Sequence, residues 1–379
     1  MVPGKQKLKV LHIIDTLGVG GAEKLLVNVV NSMPQFKHYV VYLLEPSTLS
    51  DTFSPDTEVI CLGFRRRRDY PGAILRLRKI IRREGITVIH AHLHASTLIA
   101  RFAAPKNCRV ISTLHSMPVK RTRISNFIYW MSRKLSYNPH RHFVIGVSES
   151  VLQAFNKVMH FAGGYAVLPN FISDDFYADH FKRLRDNKHI RLVAVGNLRG
   201  IKNQDYLLEA LRFVPGNFSL DIYGEGSSRN ILQAKIDQYN LPVKLCGSHP
   251  DLSRVLPEYD AFILSSLSEG NPLSLMEAMA AGLPVIVSDI PVFRNLAGSD
   301  AVYFDLSDPQ DLSRKLIMIA NHQINIDQIA KANFDKMHSQ DFKTPHLKFL
   351  EGIYTQPLHT LAGFKQVASE NQFVMSNAS

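Results

Sequence analysis

The chain of 379 residues contains only three cysteines and a single tryptophan. Cys61, Cys108 and Cys246 are odd in number and far apart, which excludes a disulfide framework and reads as buried thiols in a reducing compartment. Long apolar runs are missing too: none approaches the roughly 18 apolar residues of a membrane-crossing helix. The start, MVPGKQKLKVLHIID, is a basic lead into a strand without the apolar core or cleavage site of a signal peptide, so a cytoplasmic location is expected. Gly18, Gly20 and Gly21 do not follow the G-x-G-x-x-G spacing, and no acidic residue closes a second strand, which argues against a dinucleotide-dependent dehydrogenase.

What is present suffices for two domains, since 45% of the residues are hydrophobic. The net charge of +11 is unevenly spread. Residues 1–172 carry 24 Lys and Arg against 9 Asp and Glu, a net of +15, and the remaining 207 residues carry a net of −4. The excess gathers in Arg65, Arg66, Arg67 and Arg68, in Arg76, Arg78, Lys79, Arg82 and Arg83, and in Lys120, Arg121 and Arg123. Such clusters suit nucleic acid, anionic headgroups or a phosphorylated acceptor.

Strands and helices alternate along the first half. Strands are expected at 8–14, 38–44, 58–62, 87–91, 109–114 and 142–147, with helices at 73–84, 96–103 and 125–135. That order implies a parallel sheet with right-handed crossovers. The segment 120–130, KRTRISNFIYW, joins a cationic turn to aromatic residues and fits either a core helix or a membrane-facing rim. His90, His92 and His94 alternate at strand spacing, but the third lies past the strand end and no Cys, Asp or Glu completes a metal set. His115 ends a strand, where doubly wound sheets face their ligands. The charged stretch 174–189 lacks periodicity and marks a linker.

In the second half, a strand at 192–195 leads into GNLRGIKN, where Arg199 and Lys202 flank a glycine turn and suit a diphosphate. The stretch 262–289, FILSSLSEGNPLSLMEAMAAGLPVIVSD, reads as strand, polar loop, helix, tight turn and strand. Its loop feeds a helix N-terminus, where backbone N–H groups attract phosphate. Glu269 and Glu277 bracket that site; beside a phosphate, their natural partners are sugar hydroxyls, which donate hydrogen bonds to carboxylates. Helices are expected at 251–256, 273–281, 309–320, 326–336 and 345–354, and a strand at 301–304.

Glu269, Gly270, Pro272, Glu277-Ala278-Met279, Gly282 and Pro284-Val285 fix nine positions in a window of seventeen. They resemble the donor-site motif of family 4 retaining glycosyltransferases, group 1. The resemblance implies an α/β fold of two Rossmann-like domains facing across a cleft, the GT-B fold. It implies domains at 1–172 and 191–344, a linker at 173–190, a helix crossing back at 345–356 and a disordered tail at 357–379. It also implies transfer of a sugar from a nucleotide diphosphate sugar, UDP- or GDP-linked, to a glycan or lipid-linked acceptor in bacterial cell-surface polysaccharide or glycolipid synthesis. No cofactor, metal or nucleic acid is expected, and no D-x-D motif stands at a strand end.

Carried over residue by residue, Glu269 and His115 orient the sugar, Lys202 and Arg199 stabilise the diphosphate and Glu277 holds the ribose. Gly20, Gly21, Asn197, Gly224, Gly226, Gly270, Asn271, Pro272, Leu273 and Ser274 line the donor. Asn197 stands where the family has Arg. Arg65 to Arg68, Lys120, Arg121 and Arg123 would face the acceptor or the inner surface of the cell membrane. A GT-B nucleotide-sugar epimerase or phosphorylase, a catalytically idle membrane scaffold and a basic nucleic-acid-binding protein remain as alternatives.

Overall fold

The computed structural model describes residues 7–64, 69–117, 138–159, 161–181, 183, 189–214, 216–357 and 364–366. By contact the chain divides into two compact units. One comprises Met1–Gly18, Ala22–Asn170 and Phe342–Ser379, the other Val19–Gly21 and Phe171–Asp341.

In chain order the first unit contains β1 (Lys9–Ile14), α1 (Gly21–Asn31), β2 (Lys37–Tyr42), β3 (Glu58–Cys61), α2 (Tyr70–Glu84) and β4 (Val88–His92). It continues with α3 (His94–Ala103), β5 (Arg109–Leu114), β6 (His142–Gly146), α4 (Glu149–Met159) and β7 (Gly164–Val167). The second unit contains β8 (Ile190–Val195), α5 (Gln204–Leu211), β9 (Phe218–Tyr223), α6 (Arg229–Tyr239), β10 (Val243–Gly247) and β11 (Ala261–Leu264). It ends with α7 (Leu273–Ala280), β12 (Val285–Ser288), α8 (Pro291–Ala297), β13 (Val302–Phe304), α9 (Pro309–Ala320) and α10 (Ile326–Ser339). The chain then returns to the first unit as α11 (Lys343–Thr355) and β14 (Lys365–Gln366).

Each unit holds one all-parallel sheet, ordered β14-β7-β6-β5-β4-β1-β2-β3 in the first and β10-β9-β8-β11-β12-β13 in the second. The central strands β4, β6, β11 and β12 are buried at every position, as expected of strands covered on both faces. Helix α2 buries one stripe. In α2, Pro71 opens the helix, Ala73, Leu77 and Ile81 face the core at four-residue spacing, and Gly85 closes it at φ 64. Each fully buried Leu or Ile contributes about 1.5–3 kcal/mol.

Several expectations differ from the structure. The helix expected at 125–135 lies outside the described residues. Part of the stretch expected to be disordered forms β14, which pairs with β7, and Phe364 before it packs on Phe143 and Phe349 at ring distances of 6.0 and 6.3 Å. The helix expected from residue 96 already begins at His94. In place of a helix at 251–256 there is a 3-10 turn at Leu256–Glu258. Two helices, α6 and α8, were not anticipated; α6 buries only Leu232 and Ile236, and α8 has seven residues. Residues of the expected linker pack on the second unit, where Ala178 donates its N–H to the Ala280 carbonyl at 3.1 Å.

Candidate functional site

In the second sheet the chain starts at β8, runs outward through β9 and β10, and returns on the other side at β11. The loops after β8 and β11 therefore leave from neighbouring carboxyl ends, at the switch point where open parallel sheets bind ligands.

The loop after β8 is shaped by glycines. A Cβ on Gly224, which sits at φ 148, would lie 2.1 Å from the Gly196 carbonyl oxygen, and one on Gly226 would lie 2.3 Å from that of Leu198. Two hydrogen bonds lock this approach, from Gly196 N–H to Tyr223 at 2.9 Å and from Leu198 N–H to Glu225 at 3.0 Å. The need for Gly224 and Gly226 thus arises first from loop against loop. Gly196 has a similar task, since the Lys202 stem passes 3.3 Å from where its Cβ would be.

Lys202 ends a 3-10 turn, Gly200–Lys202, followed by Asn203 in the left-handed region at φ 52. The loop after β11 is pinned to this turn: Ser265 Oγ donates to the carbonyls of Lys202 and Asn203 at 3.1 and 2.8 Å, and Leu267 N–H donates to Ile201 at 2.9 Å. These contacts bring Lys202 Nζ within 2.5 Å of Glu269 Oε1, which also accepts from Ser266 Oγ at 2.6 Å. The paired side chains are only 19% and 13% exposed, so solvent screens them less than a surface pair. Ser265 and Ser266 were missed by sequence reasoning, because a serine in a polar loop carries no spacing signal of its own.

Beyond this loop, Pro272 precedes α7 and its side chain makes no cap bond, so the start of the helix suits an anion. Gly270, Pro272 and Leu273 are buried, and Asn271 and Ser274 are half-buried. Glu277 is 4% exposed, which rules out a merely solvated surface carboxylate. Arg199 is exposed, and its guanidinium makes no ion pair with a described residue. Asn197 is half-buried, and its carbonyl accepts from Gln204 Nε2 at 3.1 Å.

The first sheet has its own switch point, between β1 and β4. Gly20 and Gly21 lead into α1 there, and Asp15 accepts hydrogen bonds from both the N–H and the hydroxyl of Ser96. Burial raises the Asp15 pKa, opposed by these bonds. One face of this sheet is lined by histidines. His12 Nε2 meets His38 Nδ1 at 3.1 Å, and His38 Nε2 donates to the Met33 carbonyl at 2.9 Å. His90 is held between Tyr354 Oη at 2.6 Å and Thr113 Oγ1 at 2.7 Å, and His92 Nδ1 lies 3.2 Å from His115 Nε2. Burial holds His12, His90 and His92 well below the usual histidine range and His115 down to about 4.

Among the described residues, His12, His90 and His92 each offer a nitrogen within 4.8 Å of the others. This is not the triple suggested by spacing, for His94 opens α3 and is exposed. Because His90 engages both nitrogens on hydroxyls, only His12 Nδ1 and His92 Nε2 stay unpartnered. Two nitrogens fall short of the three or four protein ligands of a zinc site, so the cluster reads as a hydrogen-bonded interior. His12 lies in an apolar run, and only the parallel register that sets it beside His90 reveals its place.

Of the basic residues, Arg65 to Arg68, Lys120, Arg121 and Arg123 lie outside the described residues. On α2, Arg76, Lys79, Arg82 and Arg83 are exposed, whereas Arg78 turns inward to the Phe102 and Ala103 carbonyls at 2.5 and 3.2 Å. No helix among the described residues is long and apolar enough to cross a membrane.

Comparison with known proteins gives the family. Residues 175–335 match the model for glycosyl transferases group 1, and residues 19–176 match that for glycosyltransferase family 4. The chain is 24% identical over 310 residues to the putative glycosyltransferase EpsF of Bacillus subtilis, covering 74% of this chain and 79% of EpsF. It is 24% identical over 282 residues to the UDP-Gal:alpha-D-GlcNAc-diphosphoundecaprenol alpha-1,3-galactosyltransferase of Escherichia coli, covering 66% of this chain and 71% of that one. With the GtfA subunit of a UDP-N-acetylglucosamine–peptide N-acetylglucosaminyltransferase from Limosilactobacillus reuteri it shares 40% identity over 105 residues, 26% of this chain and 20% of that one. Among solved structures, Anabaena HepE in complex with UDP-glucose superposes with a TM-score of 0.75 at 16% identity, covering 92% of this chain and all of that one. The two family matches together run from residue 19 to residue 335, and the chain belongs to the group 1, family 4 glycosyltransferases of the GT-B fold.

Proposed function

We propose that this glycosyltransferase is a retaining, metal-independent hexosyltransferase that takes its sugar from a UDP- or GDP-sugar. Its acceptor is a glycan or lipid-linked saccharide in bacterial cell-surface polysaccharide or glycolipid synthesis. The observation that carries the donor reading is the Lys202–Glu269 pair at the β8/β11 switch point, beside the start of α7. A lone ammonium there attracts phosphate. An ammonium held by a carboxylate gives phosphate and sugar one partner each.

In this reading the ammonium of Lys202 leaves Glu269 for the diphosphate, and Glu269 accepts from a sugar hydroxyl. Arg199 and the α7 N-terminus add to the positive field. The anomeric carbon–oxygen bond breaks with its electron pair going to the diphosphate. The acceptor oxygen bonds to the same face of that carbon, and its proton passes to the departing phosphate oxygen. Glu277 binds the ribose hydroxyls, and His115 contacts the transferred sugar. The lipid-linked acceptor of the Escherichia coli relative supports a peripheral location on the inner membrane face, where the basic first unit would meet anionic lipid.

The test is a panel of UDP- and GDP-sugars scored by thermal shift and by nucleotide release with and without undecaprenyl-diphosphate-linked saccharides. Acceptor-dependent release with retained anomeric configuration is expected. An altered sugar still joined to its nucleotide would point to an epimerase instead, and a sugar phosphate product to a phosphorylase.

A further inference from the structure

The buried histidine face of the first sheet has one member that reaches beyond the interior. His92, the last residue of β4, is 2% exposed, and its Nδ1 lies 3.2 Å from Nε2 of His115, just past the end of the neighbouring strand β5. We propose that His92 is a positioning residue for His115: it holds Nε2 and leaves Nδ1, carrying the proton, as the atom His115 turns to the transferred sugar. The sugar contact rests on the reading above, whereas the ring assignment does not.

The assignment follows from counting protons. Burial keeps both rings neutral, so each carries one N–H and a single hydrogen bond joins them. If His115 donated from Nε2, His92 would carry its proton on Nε2, a buried nitrogen with no hydrogen-bond partner. Orphaned buried N–H groups are rare in folded proteins. In the opposite arrangement His92 donates from Nδ1 and leaves only an unused lone pair at Nε2. His115 then accepts at Nε2 and bears its proton on Nδ1.

The neighbouring pair shows that this face already accommodates such a lone pair. The Met33 carbonyl can only accept, so His38 is protonated on Nε2 and accepts from His12 at Nδ1. His12 therefore has its proton on Nε2, and its unpartnered Nδ1 is a bare lone pair. Rigidity around His92 is built in as well. Leu93, next in the chain, is held at φ 67 and ψ 178, a conformation that side chains other than glycine adopt only under constraint.

The experiment uses the full chain with 15N-labelled histidine, His115 being assigned through His115→Gln. Two-bond nitrogen–proton correlations should show His115 protonated on Nδ1 at neutral pH. In His92→Leu, the His115 signals should move toward the Nε2–H form. Transfer from UDP-glucose or UDP-N-acetylglucosamine, whichever releases nucleotide in the panel, should fall about 10- to 100-fold in kcat with a smaller change in KM. His92→Asn places an amide N–H where Nδ1–H stood and should restore most of that turnover and the Nδ1–H form. An Nε2–H His115 in the unsubstituted protein overturns the proposal, as does a folded His92→Leu with unchanged tautomer and kcat. Should His92→Leu fail to fold, the parent and His92→Asn spectra still decide. If the tautomer is as expected but His115→Gln leaves transfer intact, the sugar reading falls and the ring assignment stands.

Discussion

Gly224 is the residue whose replacement the backbone resists most directly. Because an added Cβ would sit 2.1 Å from a carbonyl oxygen, at a φ that side chains rarely adopt, Gly224→Ala should cost at least about 2 kcal/mol, read as a lower urea midpoint. Lys202→Ala should lower kcat by about 10²–10³-fold with the fold intact, since it removes charge from the departing diphosphate. Glu277→Ala should chiefly weaken donor binding, seen as a reduced thermal shift with the nucleotide sugar. Unchanged kinetics in both variants would sink the donor assignment. At this scale Glu269 and Glu277 were singled out by the spacing of one motif, and Lys202 by the glycine turn that it shares with Arg199. That Lys202 and Glu269 pair with each other was not legible, since it depends on Ser265 and Leu267 pinning one loop to the other.

At the scale of elements, the link between α11 and the first sheet runs through Tyr354, whose hydroxyl bonds to the buried His90. Arg109 adds bonds to the Ile353 and Gln356 carbonyls, and His346 donates to that of Pro169 at 2.8 Å. Tyr354→Phe strands a buried imidazole nitrogen and should destabilise the protein by about 1–3 kcal/mol, with sugar transfer largely kept at temperatures below the transition. An unchanged denaturation midpoint would show that this bond is replaced. The sequence carried the buried strands and α9 clearly, for apolar runs and a proline-led periodic helix are local signals. It hid α6, whose buried stripe is two residues wide, and β14, whose two residues become a strand only because β7 offers an edge far away in the chain.

At the scale of the whole molecule, seven histidines among the described residues, all with pKa values lowered by burial, make stability depend on pH. Burial holds His12, His90 and His92 well below the usual range and His38 below it, His115 and His346 at about 4 and His142 at about 3. Unfolded, each regains a pKa of about 6.5 and binds protons that the folded form refuses. Stability is therefore full above about pH 6.5 and falls as pH drops toward the folded values, by up to about 1.4 kcal/mol per pH unit for each group. Chemical denaturation at pH 7.5 and 5.5 should show a lower midpoint at the acid pH; equal midpoints would mean that these rings charge without unfolding. The uneven charge gives a second test. Vesicles containing phosphatidylglycerol should bind the protein at low salt and release it at about 0.5 M salt, and a flat titration would remove the membrane reading.

The return of α11 and β14 to the sheet that the chain began also sets an order of events during synthesis. All but three residues of the second unit form one continuous stretch, Phe171–Asp341, which leaves the ribosome ahead of α11. The usual N-to-C sequence of domain completion is thereby inverted: the later-encoded unit can close first, while the earlier one waits with β7 as an open edge and His90 without its tyrosine. Chains truncated after Asp341 and released from the ribosome should accordingly resist protease across the second unit and remain cleavable within the first.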